Sequence, residues 1–235
     1  MVMSFTREQL KRYSRQILLP EIGLNGMERL RNSSALVIGA GGLGSPVLTY
    51  LVSSGVGRIR IAEADWLELS NLQRQFLYST NEVGKPKLEL AVARLKALNP
   101  EIRLEPVGKF DSSNAADLIG SSTITLDCSD TFETRLLVSD TASALEKTWV
   151  WGAAEGFTGM TAIFNPKVTL RDAFSEATQG ENCDTIGVFA PVLGVIGSLM
   201  TGSALRLLLG LEVKQAELTI YDALDSSFRK IKLGR

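Results

Sequence analysis

Short apolar runs alternate with longer segments whose apolar residues recur at helical spacing. Runs at Ala35-Leu36-Val37-Ile38, 58–62, 103–107 and 122–126 predict buried strands, and the segments at 7–15, 87–99 and 133–145 predict helices. Strand and helix in alternation predict a parallel sheet. Beyond residue 148 the pattern changes. Two strands at 149–153 and 160–164 precede a polar crossover at 166–184 and a long apolar helix at 192–209. Runs at 217–221 and 227–232, separated by a short turn, read as a hairpin. No internal repeat is present.

The first strand runs into Gly39-Ala40-Gly41-Gly42-Leu43-Gly44, a Gly-x-Gly-x-x-Gly turn that opens a helix. Gly39 suits the tight turn, Gly41 lets backbone approach a phosphate, and Gly44 lets the helix pack close, so that its first amides face an anion. Such a loop can also be a plain strand-to-helix turn. Glu63 closes the next strand at about the distance of an acid that bonds ribose hydroxyls. The fold class is therefore α/β, a Rossmann-like parallel sheet with helices on both faces, extended by antiparallel strands in the C-terminal half. Loop and acid together would suit ATP or NAD.

Cations separate those two nucleotides. Arg74, in Ser70-Asn71-Leu72-Gln73-Arg74-Gln75, and Lys87, in Gly84-Lys85-Pro86-Lys87, follow the acid at the sheet's carboxyl edge. They suit a triphosphate better than a pyrophosphate. Asp130, in Leu126-Asp127-Cys128-Ser129-Asp130, ends another buried strand, where ligands of open parallel sheets bind. Helix capping is its alternative role. Arg135, one turn on, reads as an ion-pair partner.

At these residues the chain resembles the MoeB/ThiF/HesA family, relatives of the ubiquitin-activating enzymes that adenylate the C-terminal glycine of ubiquitin-fold sulfur carriers. The likeness begins at Arg12-Tyr13-Ser14-Arg15-Gln16 and passes through the glycine loop, Ser-Asn-Leu-Gln-Arg-Gln, Asp127-Cys128-Ser129-Asp130 and Gly152-Ala153-Ala154. It ends at Tyr221-Asp222-Ala223. It implies ATP contacts at Gly39, Gly41, Gly42, Gly44, Glu63, Asp65, Asn71, Arg74 and Lys87, and magnesium (Mg) at Asp130. It also implies that Arg15 reaches into the nucleotide site of a neighbouring subunit, hence a homodimer with shared sites. Read locally, as charged residues on helix faces usually are, Arg15 is a solvated helix charge.

The implied reaction needs alignment and charge dispersal rather than a general base, because a carboxylate attacking the α-phosphate is already nucleophilic. The chain has no histidine, which removes Ser-His-Asp and Cys-His mechanisms and histidine metal sites. Most family members carry two zinc-binding Cys-x-x-Cys pairs. This sequence has neither, with Thr169-Leu170-Arg171-Asp172 near the place of the first, so no structural zinc is expected. Cys128 reads as a small buried residue. Cys183 stands where some relatives form an acyl-persulfide or thioester; Glu181 and Asp184 would raise its pKa, and a helix N-terminus would lower it.

The 235 residues, 45% hydrophobic and 22% charged, are ordinary for one adenylating domain. Its expected parts are an N-terminal helical arm at 1–30, a nucleotide-binding half at 31–147 and a carrier-binding and dimer half at 148–235. A net charge of -1 gives no reason to expect nucleic acid. Two cysteines and a charged N-terminus without a signal-like apolar core suit the cytoplasm. The 185–211 stretch is almost uncharged, yet Pro191, Arg206 and several glycines favour a buried helix over a membrane span. In that reading Gly194, Gly197 and Gly202 allow close backbone approach.

Three function classes fit these residues. The first is ATP-dependent adenylation of a ubiquitin-fold sulfur carrier ending in Gly-Gly, with a separate sulfur donor, or of another carboxylate on a small molecule or tRNA. A NAD-binding oxidoreductase leaves Arg15, Arg74, Lys87 and Asp130 without a common purpose. A non-catalytic scaffold that binds the carrier is the third. The 166–184 crossover, poor in large apolar residues, is expected to be mobile until a carrier tail passes beneath it.

Overall fold

Eight strands form one sheet in the order β3-β2-β1-β4-β5-β6-β7-β8 in the computed structural model, which describes residues 5–174 and 187–234. β1 (Ser34–Ile38), β2 (Arg58–Ala62), β3 (Arg103–Gly108), β4 (Ile124–Asp127) and β5 (Trp149–Glu155) run parallel. β6 (Thr158–Phe164), β7 (Glu217–Asp222) and β8 (Ser227–Lys232) continue from β5 as antiparallel neighbours. The mixed sheet expected from the change of pattern is thus present.

All five residues of β1 are buried, because helices cover both sheet faces. Ala35 and Val37 face a core shared with α4 (Gly44–Ser53), α5 (Lys87–Leu98) and α9 (Ala190–Leu209). Leu36 and Ile38 face the opposite core, beneath α6 (Ala115–Gly120) and α7 (Phe132–Ala144). There Trp149 stacks on Phe164 at 5.0 Å between ring centroids. Each fully buried Leu, Ile or Val contributes about 1.5–3 kcal/mol by leaving water, so β1 ties the two cores to the centre of the sheet.

The N-terminal helix departs from the expected 7–15. α1 (Arg7–Arg12) ends at Tyr13 and α2 (Ser14–Ile17) follows, with Tyr13 at φ −97° and ψ 8° between them. Tyr13 leaves the helical path because its ring is buried against Gly55 and its hydroxyl accepts a 2.8 Å hydrogen bond from Asn99. α3 (Gly23–Asn32) falls mostly within the expected helical arm at 1–30, though no separate helix is predicted there; it is amphipathic, with Met27 and Leu30 buried. The expected polar crossover contains α8 (Leu170–Ala173), capped by reciprocal bonds between Thr169 and Asp172.

α9 is long and apolar enough to cross a membrane, and half of its most apolar window is buried within the chain. Its buried side packs on β5, β6 and α4. One expectation is corrected here. A Cβ at Gly197 would overlap the Pro46 ring of α4, whereas at Gly194 and Gly202 it would meet nothing within 4 Å. Close approach therefore explains Gly197 and leaves the other two on the open side of the helix.

Candidate active site

The chain leaves β1 for β2 and β3 on one side and returns to place β4 and β5 on the other, so the strand order reverses between β1 and β4. Ligands of open α/β sheets bind outside the carboxyl ends at such a point. A cavity of about 380 Å³ lies there, lined by the glycine loop, the ends of β2, β3 and β4, and Leu193 of α9. This is within the size range of small-molecule sites.

Gly39 takes φ +92°, and a Cβ there would stand 2.8 Å from the Cys128 carbonyl oxygen. At Gly44 a Cβ would overlap the Gly39 carbonyl, so these two glycines let the turn close upon itself. Gly41 and Gly42 line the cavity together with Gly39. Added to Gly41, a Cβ would meet only the Gln75 side chain at 3.4 Å, so its bareness leaves room for a ligand. No side chain caps the α4 N-terminus, which leaves its dipole free to meet an anion.

Glu63 is 9% exposed and braces this loop. Its Oε2 accepts from the Ala40 N–H at 2.9 Å, and its Oε1 accepts from Ala64 and Asp65 N–H, each at 2.9 Å. An ionised carboxylate offers about four acceptor positions, so one stays available to a ligand hydroxyl.

Arg74, Lys87, Lys109 and Arg135 bring positive charge to the lining. Arg74 donates to the Ser70 carbonyl at 3.0 Å and has no carboxylate within ion-pair distance among the described residues. Lys87 is buried at the start of α5 and pairs with the exposed Asp65 at 3.4 Å. Arg135 lies 5.8 Å from the Trp151 ring centroid and donates to the Ser129 carbonyl at 3.1 Å. The expected ion pair of Arg135 is therefore absent among the described residues; its guanidinium is held by a carbonyl and an aromatic face.

Asp130 lies exposed on the wall, and among the described residues its carboxylate has no hydrogen-bond or ion-pair partner. Capping does not occupy it. Thr131 caps α7, accepting from the Thr134 N–H at 3.3 Å. Behind this loop Asp127 is wholly buried, and burial raises its carboxyl pKa despite the Ser129 hydrogen bond and nearby Arg135. Burial, with the neighbouring Asp127 charge, pushes the Cys128 thiol well up, in keeping with a structural cysteine.

Gly39, Gly41, Gly42, Glu63, Asp65, Arg74, Lys87 and Asp130 thus meet in one cavity. Gly44 stands behind the lining. So does Asn71, 8% exposed, whose Oδ1 accepts from the Glu68 N–H at 3.1 Å and ties the turn that presents Arg74. Arg15, exposed on α2, does not line its own chain's cavity. Cys183 and most of the 166–184 crossover lie outside the described residues.

Sequence reasoning missed Gln75, Lys109 and Phe110 in the lining. Gln75 was readable beside Arg74, and the other two from their place at the carboxyl end of β3. Gln75 is 4% exposed, and among the described residues its Oε1 has no hydrogen-bond partner.

The ThiF family pattern matches residues 13–235. A sulfur carrier protein adenylyltransferase of Thermus thermophilus is 44% identical, covering 99% of this chain and 90% of its own. The ThiS adenylyltransferase of Escherichia coli is 38% identical, over 95% of this chain and 91% of its own. In architecture, a crystal structure of E. coli MccB with ATP superposes with a TM-score of 0.81 at 21% identity, covering 95% of this chain and 71% of that one. With its glycine loop, Arg74, Lys87 and Asp130 gathered at the switch point of such a sheet, this chain belongs to the ThiF family.

Proposed function

We propose that the chain transfers AMP from ATP to the C-terminal glycine carboxylate of a ubiquitin-fold sulfur carrier ending in Gly-Gly. One observation carries the reading: a single cavity joins a bare glycine loop, an uncapped helix N-terminus, four cations from separate segments and the carboxylate of Asp130, uncommitted among the described residues. The related enzymes named as sulfur-carrier adenylyltransferases support the choice of acceptor.

In this reading the triphosphate lies on Gly41 and Gly42, Glu63 takes a ribose hydroxyl, and Arg74 and Lys87 meet the phosphates. The carrier carboxylate oxygen forms a bond to the α-phosphorus while the bond to the bridging oxygen of pyrophosphate breaks. No proton moves, so the protein's contribution is alignment and compensation of charge. Fixed donors in a partly enclosed site act more strongly than they would in water.

Magnesium suits this donor set. No group of three ligating side chains exists among the described residues, and magnesium carried by phosphates needs only one or two protein carboxylates. Asp130 would hold it, and the ion would supply added neutralisation of phosphate charge.

The chain acts as a homodimer in which Arg15 serves the partner's cavity. An apolar groove of about 720 Å³ supports this: Leu19, Leu199 and Phe228 line it and are 49%, 37% and 52% exposed. A large exposed apolar patch of this kind marks an association surface. The enzyme works in the cytoplasm, where a separate protein donates sulfur to the adenylated carrier. Cys183 is a candidate for covalent sulfur or acyl transfer at a later step.

ATP–pyrophosphate exchange, with and without a Gly-Gly carrier, tests the reading. Carrier-dependent exchange is the expected result. ATP binding without exchange for any carrier would leave a scaffold, and binding of NADH in place of ATP would overturn the nucleotide assignment.

A further inference from the structure

Ala40 lies between Gly39 and Gly41, which both line the cavity, and two different side chains hold its two polar groups. Its N–H donates to Glu63 Oε2 at 2.9 Å. Its carbonyl accepts from the Tyr78 hydroxyl at 2.8 Å. Tyr78 is 6% exposed, belongs to the core beneath the loop and is not part of the cavity lining. Burial, reinforced by the charges of Glu63, Asp65 and Glu82, pushes its phenol far up, so the hydroxyl remains a donor.

The Ala40 carbonyl and the Gly41 N–H belong to one trans peptide, in which the two point in opposite directions. A carbonyl drawn toward the core therefore turns the Gly41 N–H away from it, on the side where Gly41 lines the cavity. Among the described residues that N–H has no acceptor. Glu63 does not perform this task, because its bond is to the preceding peptide. The next carbonyl, of Gly41, is fixed separately by the Ser45 N–H at 2.8 Å.

We propose that Tyr78 is a positioning residue for nucleotide binding, which fixes the Ala40–Gly41 peptide so that the Gly41 N–H is aimed at a phosphate oxygen. The proposal rests on the adenylation reading and adds a device to it. Glycine loops rotate their peptides readily. A loop with its donors already oriented binds an anion without first losing that freedom.

The test is calorimetric titration of ATP into the full-length wild type, Tyr78→Phe and Tyr13→Phe. Tyr13 is also 6% exposed and its hydroxyl is also bonded at 2.8 Å, to Asn99, away from the loop. It thus controls for loss of one buried hydroxyl. Tyr78→Phe should raise the ATP Kd about tenfold, the scale of one charge-assisted hydrogen bond. Tyr13→Phe should lower the melting temperature similarly and leave the Kd alone.

An unchanged Kd in Tyr78→Phe, or equal weakening in both variants, overturns the proposal. The wild-type Gly41 amide proton should also shift downfield on ATP addition. A Gly41 resonance untouched by saturating ATP refutes the assignment whatever the variants do. A folded wild type that binds no ATP instead defeats the adenylation reading itself, a distinct result.

Discussion

The parallel and antiparallel halves of the sheet solve different problems. β1, β4 and β5 are buried on both faces, and the carboxyl edge of the parallel strands ends in a concave site with buried braces such as Glu63. β6 to β8 continue the same sheet, yet β8 is almost wholly exposed and borders the open side of α9. The first half keeps polar groups in fixed directions; the second leaves apolar surface uncovered within the single chain. The difference follows from connection chemistry, since parallel strands need helical crossovers that cover the sheet and hairpins do not.

The strongest break in this comparison comes from removing charge at the concave edge. Asp130→Ala and Arg74→Ala should each lower carrier-dependent ATP–pyrophosphate exchange by about 10²–10³-fold, the scale of a lost transition-state contact. Melting temperatures should change little, because Asp130 is exposed and has no partner among the described residues. Parallel loss of stability would mean that these residues hold the fold together.

At the open half the corresponding substitution is Leu199→Glu, which places a charge in the apolar groove. Sedimentation should show dimer association weakened by roughly a hundredfold or more, the cost of burying an unpaired charge. Full exchange activity in a monomeric variant would refute the shared site built on Arg15.

A finer contrast lies along α9. Gly197→Ala should destabilise the protein by about 1–3 kcal/mol through collision with Pro46. Gly194→Ala, with open space at its Cβ, should stabilise the monomer by about 0.5–1 kcal/mol. Denaturant unfolding measures both, and a loss at Gly194 would indicate that another surface packs there.

The mildest probe is chemical. With its pKa raised by burial, Cys128 should remain a thiol even at pH 9 and resist alkylation until the chain unfolds. Peptide mapping after a timed iodoacetamide pulse reads this directly.

Much of the architecture was legible because local pattern and tertiary demand agreed. β2 occupies the expected 58–62, β8 the expected 227–232, and α9 begins only two residues before the expected 192. The break at Tyr13 was hidden because a ring pulled into the core by Gly55 and Asn99 leaves no mark on local periodicity. Roles at Asn71 and Arg135 were obscured for a related reason. A polar side chain near a turn or a helix start satisfies whichever partner the fold brings near, here the Glu68 amide for Asn71 and the Ser129 carbonyl for Arg135.

By itself the sequence determined the strand and helix alphabet, the glycine loop and the cations that follow it, because these depend on residue type over short spans. Tertiary structure decided which groups became available for chemistry. It placed Thr131 rather than Asp130 at the helix cap, and it engaged three acceptor positions of Glu63 in bracing the loop. It also brought Tyr78, 38 residues along the chain, beneath the Ala40 carbonyl. Hydrogen-bond direction is a property of groups meeting in space, and the chain order alone does not contain it.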